Sequence, residues 1–298
     1  MKNHSDLPLP NYDKAFAIGI GLNLSYVAAE ASFGLLAHSL ALLADAGHNL
    51  SDVLSLLLAW GANRLCRMPA SKRYTYGLRS SSILASLANA VVLLIVIGAI
   101  GWEAIRRFRH AEAVPGGTVI GVAGFGVLVN TATALLFMRG RERDLNLKAA
   151  FMHMAADAAV SLGVVFAGLA IKFTGQHWID PLTSLVIVAV IAIGTRGLLR
   201  DSMNLALQAV PARIDLDAVR QYLSALPQVT AVHDLHVWPM STTETALTVH
   251  LEIPTGSPGD EFLCEICEHL RREFGIEHST LQLEQDAKSC ALAPDHKL

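Results

Sequence analysis

Apolar residues run almost unbroken through the first two thirds of the chain and alternate with polar ones in the last third. A bilayer core of about 30 Å needs roughly 20 apolar residues in helical form. Stretches of that length lie at about 15–36, 40–63, 83–105, 117–138, 149–171 and 181–199. Only a few residues around His38 and Ser39 separate the first two, which forces an antiparallel hairpin. Beyond residue 208 the pattern changes to a helix (DLDAVRQYLSAL), two strands (TAVHDLHVW and TALTVHLEI), a helix (EFLCEICEHLRREF) and a strand (STLQLEQ), with PTGSPGD as the main turn signal. The pattern predicts an all-α six-helix transmembrane bundle over residues 1–208 and a small α/β domain over residues 209–298, of αββαβ, ferredoxin-like order. Such small α/β folds host many functions, so chemistry must come from particular residues.

Orientation follows from the basic residues, which collect in cytoplasmic loops. Arg64, Arg67, Lys72, Arg73 and Arg79 follow the second stretch, and Arg139, Arg141, Arg143 and Lys148 follow the fourth. Both loops, both termini and the C-terminal domain are therefore expected in the cytoplasm; Arg106, Arg107 and Arg109 in the third connection oppose this and are outnumbered. The lead HSDLPLPNYDK is polar and offers no cleavage site, and the stretch after it is too long for a signal segment, so it reads as a retained helix. Composition agrees with a membrane protein: 16% of residues are charged, against roughly 25% in an average soluble domain. A net charge of −3 leaves no basic stripe for nucleic acid. Cys66, Cys264, Cys267 and Cys290 form no regular disulfide framework.

Between Lys14 and Arg64 the only Asp, Glu, Lys or Arg residues are Glu30, Asp45 and Asp52. Ionisable groups inside a span are expensive and need a partner or a function. Asp45, His48 and Asp52 follow one another at i, i+3 and i+7, on one helix face. The fifth stretch repeats the pairing with His153 and Asp157 at i and i+4. Two such pairs supply two nitrogens and two oxygens, a set that tetrahedral zinc accepts. Cobalt, nickel or cadmium suit it to a degree; magnesium and calcium prefer larger all-oxygen shells. One pair could equally be polar glue between helices, but the same spacing on two helices makes an unused buried carboxylate costly twice over. Asp45 has two open roles, fixing an imidazole tautomer or making a structural helix contact.

At these residues the chain resembles the cation diffusion facilitator family of metal transporters. The resemblance rests on HSLALLADAGHNLSD, HMAAD, WIDPL and the HDLHVW and VHLEI segments, and covers nearly the whole chain. It implies that His48, Asp52, His153 and Asp157 form the transport site, that Zn2+ is the transported ion, and that histidine at the first position matches zinc-preferring bacterial and vertebrate members. It also implies proton-coupled antiport, a homodimer joined through the cytoplasmic domain, and a multi-pass protein of the bacterial inner membrane. In the C-terminal domain the resemblance extends to His233, His250, Glu284 and Asp286, matching a cytoplasmic zinc site in relatives, although Asp260 stands where some have histidine. Strand alternation independently puts His250 with Thr248 and Glu252 on a polar side, and puts His236 opposite to His233. The loop RMPASKRYTYGLRSSS has neither the Asp nor the His that carry an extra metal in some relatives, and RGRERDLNLKAA lacks a His-rich tract. No metal is expected in either.

Cys264 and Cys267, with His269 nearby, form a single CxxC in a helix, which reads as packing rather than as a zinc knuckle. His38, His110 and His177 fall at the outer rim as solvated loop residues. With no Gly-Lys dipeptide there is no Walker A loop, so the energy for export is expected from protons, which compete with metal for histidine. The rival readings are an intramembrane zinc hydrolase, for which no His-Glu-x-x-His occurs, and a membrane metal sensor.

Overall fold

The structure is a computed structural model and describes residues 13–66, 68–108, 112–138, 145–254, 256 and 258–285. Six long helices occupy the apolar stretches: α1 (Asp13–Leu36), α2 (Leu40–Cys66), α3 (Ser81–Phe108), α4 (Gly116–Met138), α5 (Leu145–Thr174) and α6 (Ile179–Ala206). Segments of α3, α4, α5 and α6 are long and apolar enough to cross a membrane. The helices α1 and α2 are of similar length and carry Asn23, Glu30, Asp45, His48, Asn49 and Asp52. Large apolar side chains face outward, among them Trp102, Phe166, Phe173 and Ile193, while Glu30, Asp45, Asn130 and Asp157 are buried. This inversion of the soluble pattern is what a lipid surroundings requires.

The chain divides into two compact units, Met1–Leu57 with Asn89–Arg196 and Leu58–Ala88 with Gly197–Leu298. In the first, Leu42, Leu93, Ile97, Val119, Val164, Ile187 and Ile191 build a core drawn from α2 to α6. The helices α4 and α5 approach closely because a Cβ at Gly116 would fall 2.7 Å from the Gly168 carbonyl oxygen. The start of α2 is capped from far along the chain. Asp180, in the first turn of α6 and buried, accepts the Ser39 hydroxyl at 2.5 Å and the Leu40 and Ala41 amides at 2.7 and 3.4 Å. These amides have no partner within their own helix, and a carboxylate there also complements the helix dipole. The WIDPL segment thereby fixes where α2, and the side chains it carries, sit along the bundle.

In the second unit α7 (Leu216–Ser224), β1 (Ala231–Pro239), β2 (Thr245–Glu252), α8 (Asp260–Phe274) and β3 (His278–Glu284) follow in the order αββαβ. Asp215 caps α7 through the amides of Asp217 and Ala218, and Gly275, at φ 64°, ends α8. The sheet order is β1-β2-β3, with β1 antiparallel and β3 parallel to β2. Val219 and Leu223 of α7 and Ile266 and Leu270 of α8 pack with Leu247, Val249 and Leu251 of β2. His250 lies on the alternate side of β2. In the same unit the β1–β2 turn meets the start of α3, where Glu244 pairs with Arg79 and the Thr242 amide donates to Ser82 Oγ at 3.1 Å.

Asp180→Ala removes three donors' acceptor from a buried site and should cost about 1–3 kcal/mol. A lowered melting temperature of the detergent-solubilised chain, only partly recovered in Asp180→Asn, which keeps one of the two accepting oxygens, is the expected result; an unchanged one would mean the cap contributes nothing.

Candidate metal centres

The first centre lies between α2 and α5. One helical turn separates His48 from Asp52 and His153 from Asp157, so each helix offers an imidazole and a carboxylate on one face. Each imidazole meets both carboxylates: His48 Nε2 lies 3.9 Å from Asp52 and 3.4 Å from Asp157, and His153 Nε2 lies 3.3 and 3.7 Å from them. Zinc bonds of about 2.0–2.1 Å at tetrahedral angles put neighbouring ligand atoms roughly 3.3 Å apart. The ligand atoms of His48, Asp52 and Asp157 lie within 4.8 Å of one another, and His153 borders both carboxylates with its ring 6.4 Å from that of His48. Asp157 is 1% exposed, and neither of its oxygens accepts a hydrogen bond among the described residues. A buried carboxylate without donors is costly, and a cation is the partner that removes the cost.

Asp45 does not bond to either imidazole. Its Oδ2 accepts the Ser161 hydroxyl of α5 at 2.9 Å, and His48 Nδ1 has no hydrogen-bond partner among the described residues. Of its two open roles, the geometry gives Asp45 the helix contact. Beside it stands Glu30, buried on α1, which takes the Tyr26 hydroxyl at 2.6 Å and the Asn49 amide at 3.3 Å. The only sequence signal for Glu30 is its being the lone acid of the first apolar stretch.

The second centre lies on the sheet. His233 and His250 are directly opposite across β1 and β2, and Glu284 of β3 reaches both, 3.1 Å from His233 Nε2 and 3.0 Å from His250 Nδ1. All three are largely buried, and their ligand atoms lie within 4.8 Å of one another. His233 Nε2 faces Glu284 without hydrogen-bond geometry. Two imidazoles and a carboxylate so arranged fit a zinc ion. Asp286 lies outside the described residues, and Asp260 is exposed at the start of α8. The expectation for His236 is corrected. A bulge between His233 and His236 inserts one residue into β1, so His236 pairs with Thr248 on the His250 side instead of pointing away. At the bulge Asp234 takes φ 49° and reaches His236 at 3.0 Å and His250 at 3.4 Å. Strict alternation could not reveal this residue.

The cysteine pair is not part of either cluster. Cys264 is exposed, so the packing expected of both holds only for half-buried Cys267, whose thiol burial and then Cys264 push upward. His269 stacks on Tyr222 with ring centroids 4.0 Å apart. At the rim His38 is exposed and contacts Glu112 at 3.2 Å, whereas His177 is half-buried and accepts the Val114 amide at 3.2 Å; His110 lies outside the described residues.

Residues 16–205 match the family model of the cation efflux transmembrane domain, and residues 211–286 that of the cation efflux protein cytoplasmic domain. The zinc transporter ZitB of Escherichia coli is 34% identical over 282 residues, spanning 94% of this chain and 90% of that protein. The metal cation efflux system protein CzcD of Cupriavidus metallidurans is 32% identical, over 91% of this chain and 86% of its own length. A cadmium, cobalt and zinc/H(+)-K(+) antiporter of Bacillus subtilis is 31% identical, over 92% and 89%.

Since Cys264 and Cys267 have no third ligand among the described residues, the Cys264→Ser, Cys267→Ser double variant should bind as much zinc per chain as the wild type by elemental analysis. Loss of an ion would put the thiols in a metal site.

Proposed function

The chain belongs to the cation efflux family, and from that membership we propose that it exports Zn2+ from the cytoplasm in exchange for protons, holding the ion at His48, Asp52, His153 and Asp157. It is a multi-pass membrane transporter and not an enzyme. The observation that carries the site is Asp157, a buried carboxylate without a well-formed hydrogen bond among the described residues, facing two imidazoles. In this reading all of α1 to α6 cross the bilayer, both termini face the cytoplasm of a bacterial cell, and residues 1–208 transport while residues 209–298 join two copies into a homodimer. Cadmium and cobalt, which the name of the Bacillus relative includes, are the secondary substrates.

Neutral imidazole binds metal and imidazolium does not, so protons and zinc compete for His48 and His153. With the site open to the cytoplasm, neutral rings and two carboxylates take up the ion. With it open to a more acidic outside, protons displace the ion and return inward as the bundle rocks back. The antiporter name of the Bacillus relative supports this coupling. In the cytoplasmic domain we assign His233, His250 and Glu284, with Asp286, as holders of a zinc ion that ties three strands together; bound there, it adds stability to the folded domain by mass action. A hydrolase would need an open coordination position, and the quartet has none to spare. A sensor without transport would accumulate no metal.

The purified chain in sealed vesicles should accumulate zinc. Asp157→Ala and Asp52→Ala should each lower that flux by at least about 100-fold, since even partners that merely orient a ligand are worth 10–100-fold. Folding should survive; flux at the wild-type level in either variant would remove the residue from the site. His48→Asp leaves one nitrogen and three oxygens, so the cadmium-to-zinc transport ratio should rise several-fold. An unchanged ratio would mean that selectivity resides elsewhere.

A further inference from the structure

One helical turn from the quartet, toward the α1–α2 turn, a second pair of acids is buried. Glu30 of α1 and Asp45 of α2 are both 0% exposed and close enough to interact electrostatically. Helices on every side supply the setting. Tyr26 of α1 donates to Glu30 Oε1 at 2.6 Å, Asn49 of α2 to Oε2 at 3.3 Å, and Ser161 of α5 to Asp45 Oδ2 at 2.9 Å. On α4 the place is cut to fit: a Cβ at Gly126 would fall 2.1 Å from the Tyr26 hydroxyl, so glycine alone leaves room for it.

Counting hydrogens decides the charge state. Four carboxyl oxygens receive three donors, and Asp45 Oδ1 has no hydrogen-bond partner among the described residues. No lysine or arginine occurs between Lys14 and Arg64 or anywhere on α4. The titratable groups around the pair are Tyr26 on α1, His48 and Asp52 further along α2, and His153 and Asp157 on α5; α4 contributes none. Two buried carboxylates this near each other, with no counter-charge beside them among the described residues, repel strongly. One proton between them supplies the missing hydrogen and removes one of the two charges.

We propose that Glu30 and Asp45 form a proton-binding site separate from the zinc quartet, and that its proton is one of the counter-ions exchanged for zinc. The second half rests on the antiport reading above. Both acids lie on the outer side of the quartet in the orientation proposed, so the pair meets an incoming proton before the metal ligands do. Ser161 follows Asp157 by one turn on α5, and Asp45 precedes His48 by one turn on α2, so the same two helices carry both sites.

The test uses the full-length chain in vesicles with dyes for zinc and for pH, comparing the wild type with Glu30→Gln, Asp45→Asn and both together. Each single variant should move one proton fewer per zinc, and the double variant no fewer than either, because the pair shares a single proton. Glu30→Gln should still bind zinc as the wild type does. The proton is also visible without transport: the metal-free wild type should show an infrared carboxylic acid C=O band that shifts in heavy water and is absent from Glu30→Gln. If the wild type moves no protons, the antiport reading fails and the band alone judges the site. A band missing from the wild type, or an unaltered proton-to-zinc ratio in both single variants, would overturn the proposal. Should the acid variants not assemble, Tyr26→Phe keeps both acids and should shift the band; an unshifted band would equally overturn it.

Discussion

A carboxylate held away from water must find positive charge, a donor or a proton, and the membrane unit is organised around acids that meet this demand in different ways. Asp180 takes the orphan amides at the start of α2. Glu30 takes donors from Tyr26 and Asn49, and Asp45 takes one from Ser161. Asp157 makes no well-formed hydrogen bond among the described residues and faces two imidazoles. The desolvation penalty falls on each of them. In the proposed function the penalty on Asp157 is left to an ion that comes and goes, whereas Asp180 is satisfied by backbone amides and a hydroxyl.

This division gives α2 a central mechanical role. Its start is fastened to α6 by Asp180, its next turns carry Asp45 and His48, and Asp52 follows one turn later. A rigid helix converts the cap into a fixed depth for the ligands, because the 1.5 Å rise per residue leaves no slack. The facing helix, α5, is fastened in turn to α4 where Gly116 lies against the Gly168 carbonyl. Small residues at that contact let two backbones approach as side chains would not.

Much of this could be read from residue spacing, and the remainder could not for physical reasons. Helix periodicity is regular, so the pairing of His48 with Asp52 and of His153 with Asp157 was legible, as was the length of the long helices. Strand periodicity fails at an inserted residue. The bulge at Asp234 turned His236 to the side opposite to the one that alternation predicts, and brought in an acid that no pattern singled out. Contacts between distant segments leave still less trace. Asp180 lies 140 residues from Leu40, and Gly126 matters only because a hydroxyl from α1 occupies its missing Cβ. Asp286 is outside the described residues, so its part in the sheet cluster rests on the family resemblance alone.

Whether zinc sits among two imidazoles and two carboxylates inside the membrane unit can be read by X-ray absorption at the zinc edge, on a full-length His233→Ala, His250→Ala variant in which the sheet cluster is disabled. One bound zinc with four nitrogen or oxygen neighbours at about 2.0 Å, two of them with the outer-ring scattering of imidazole, is the expected result. This signal should disappear in Asp157→Ala. A sulfur neighbour at about 2.3 Å, or a six-oxygen shell, would contradict the assignment.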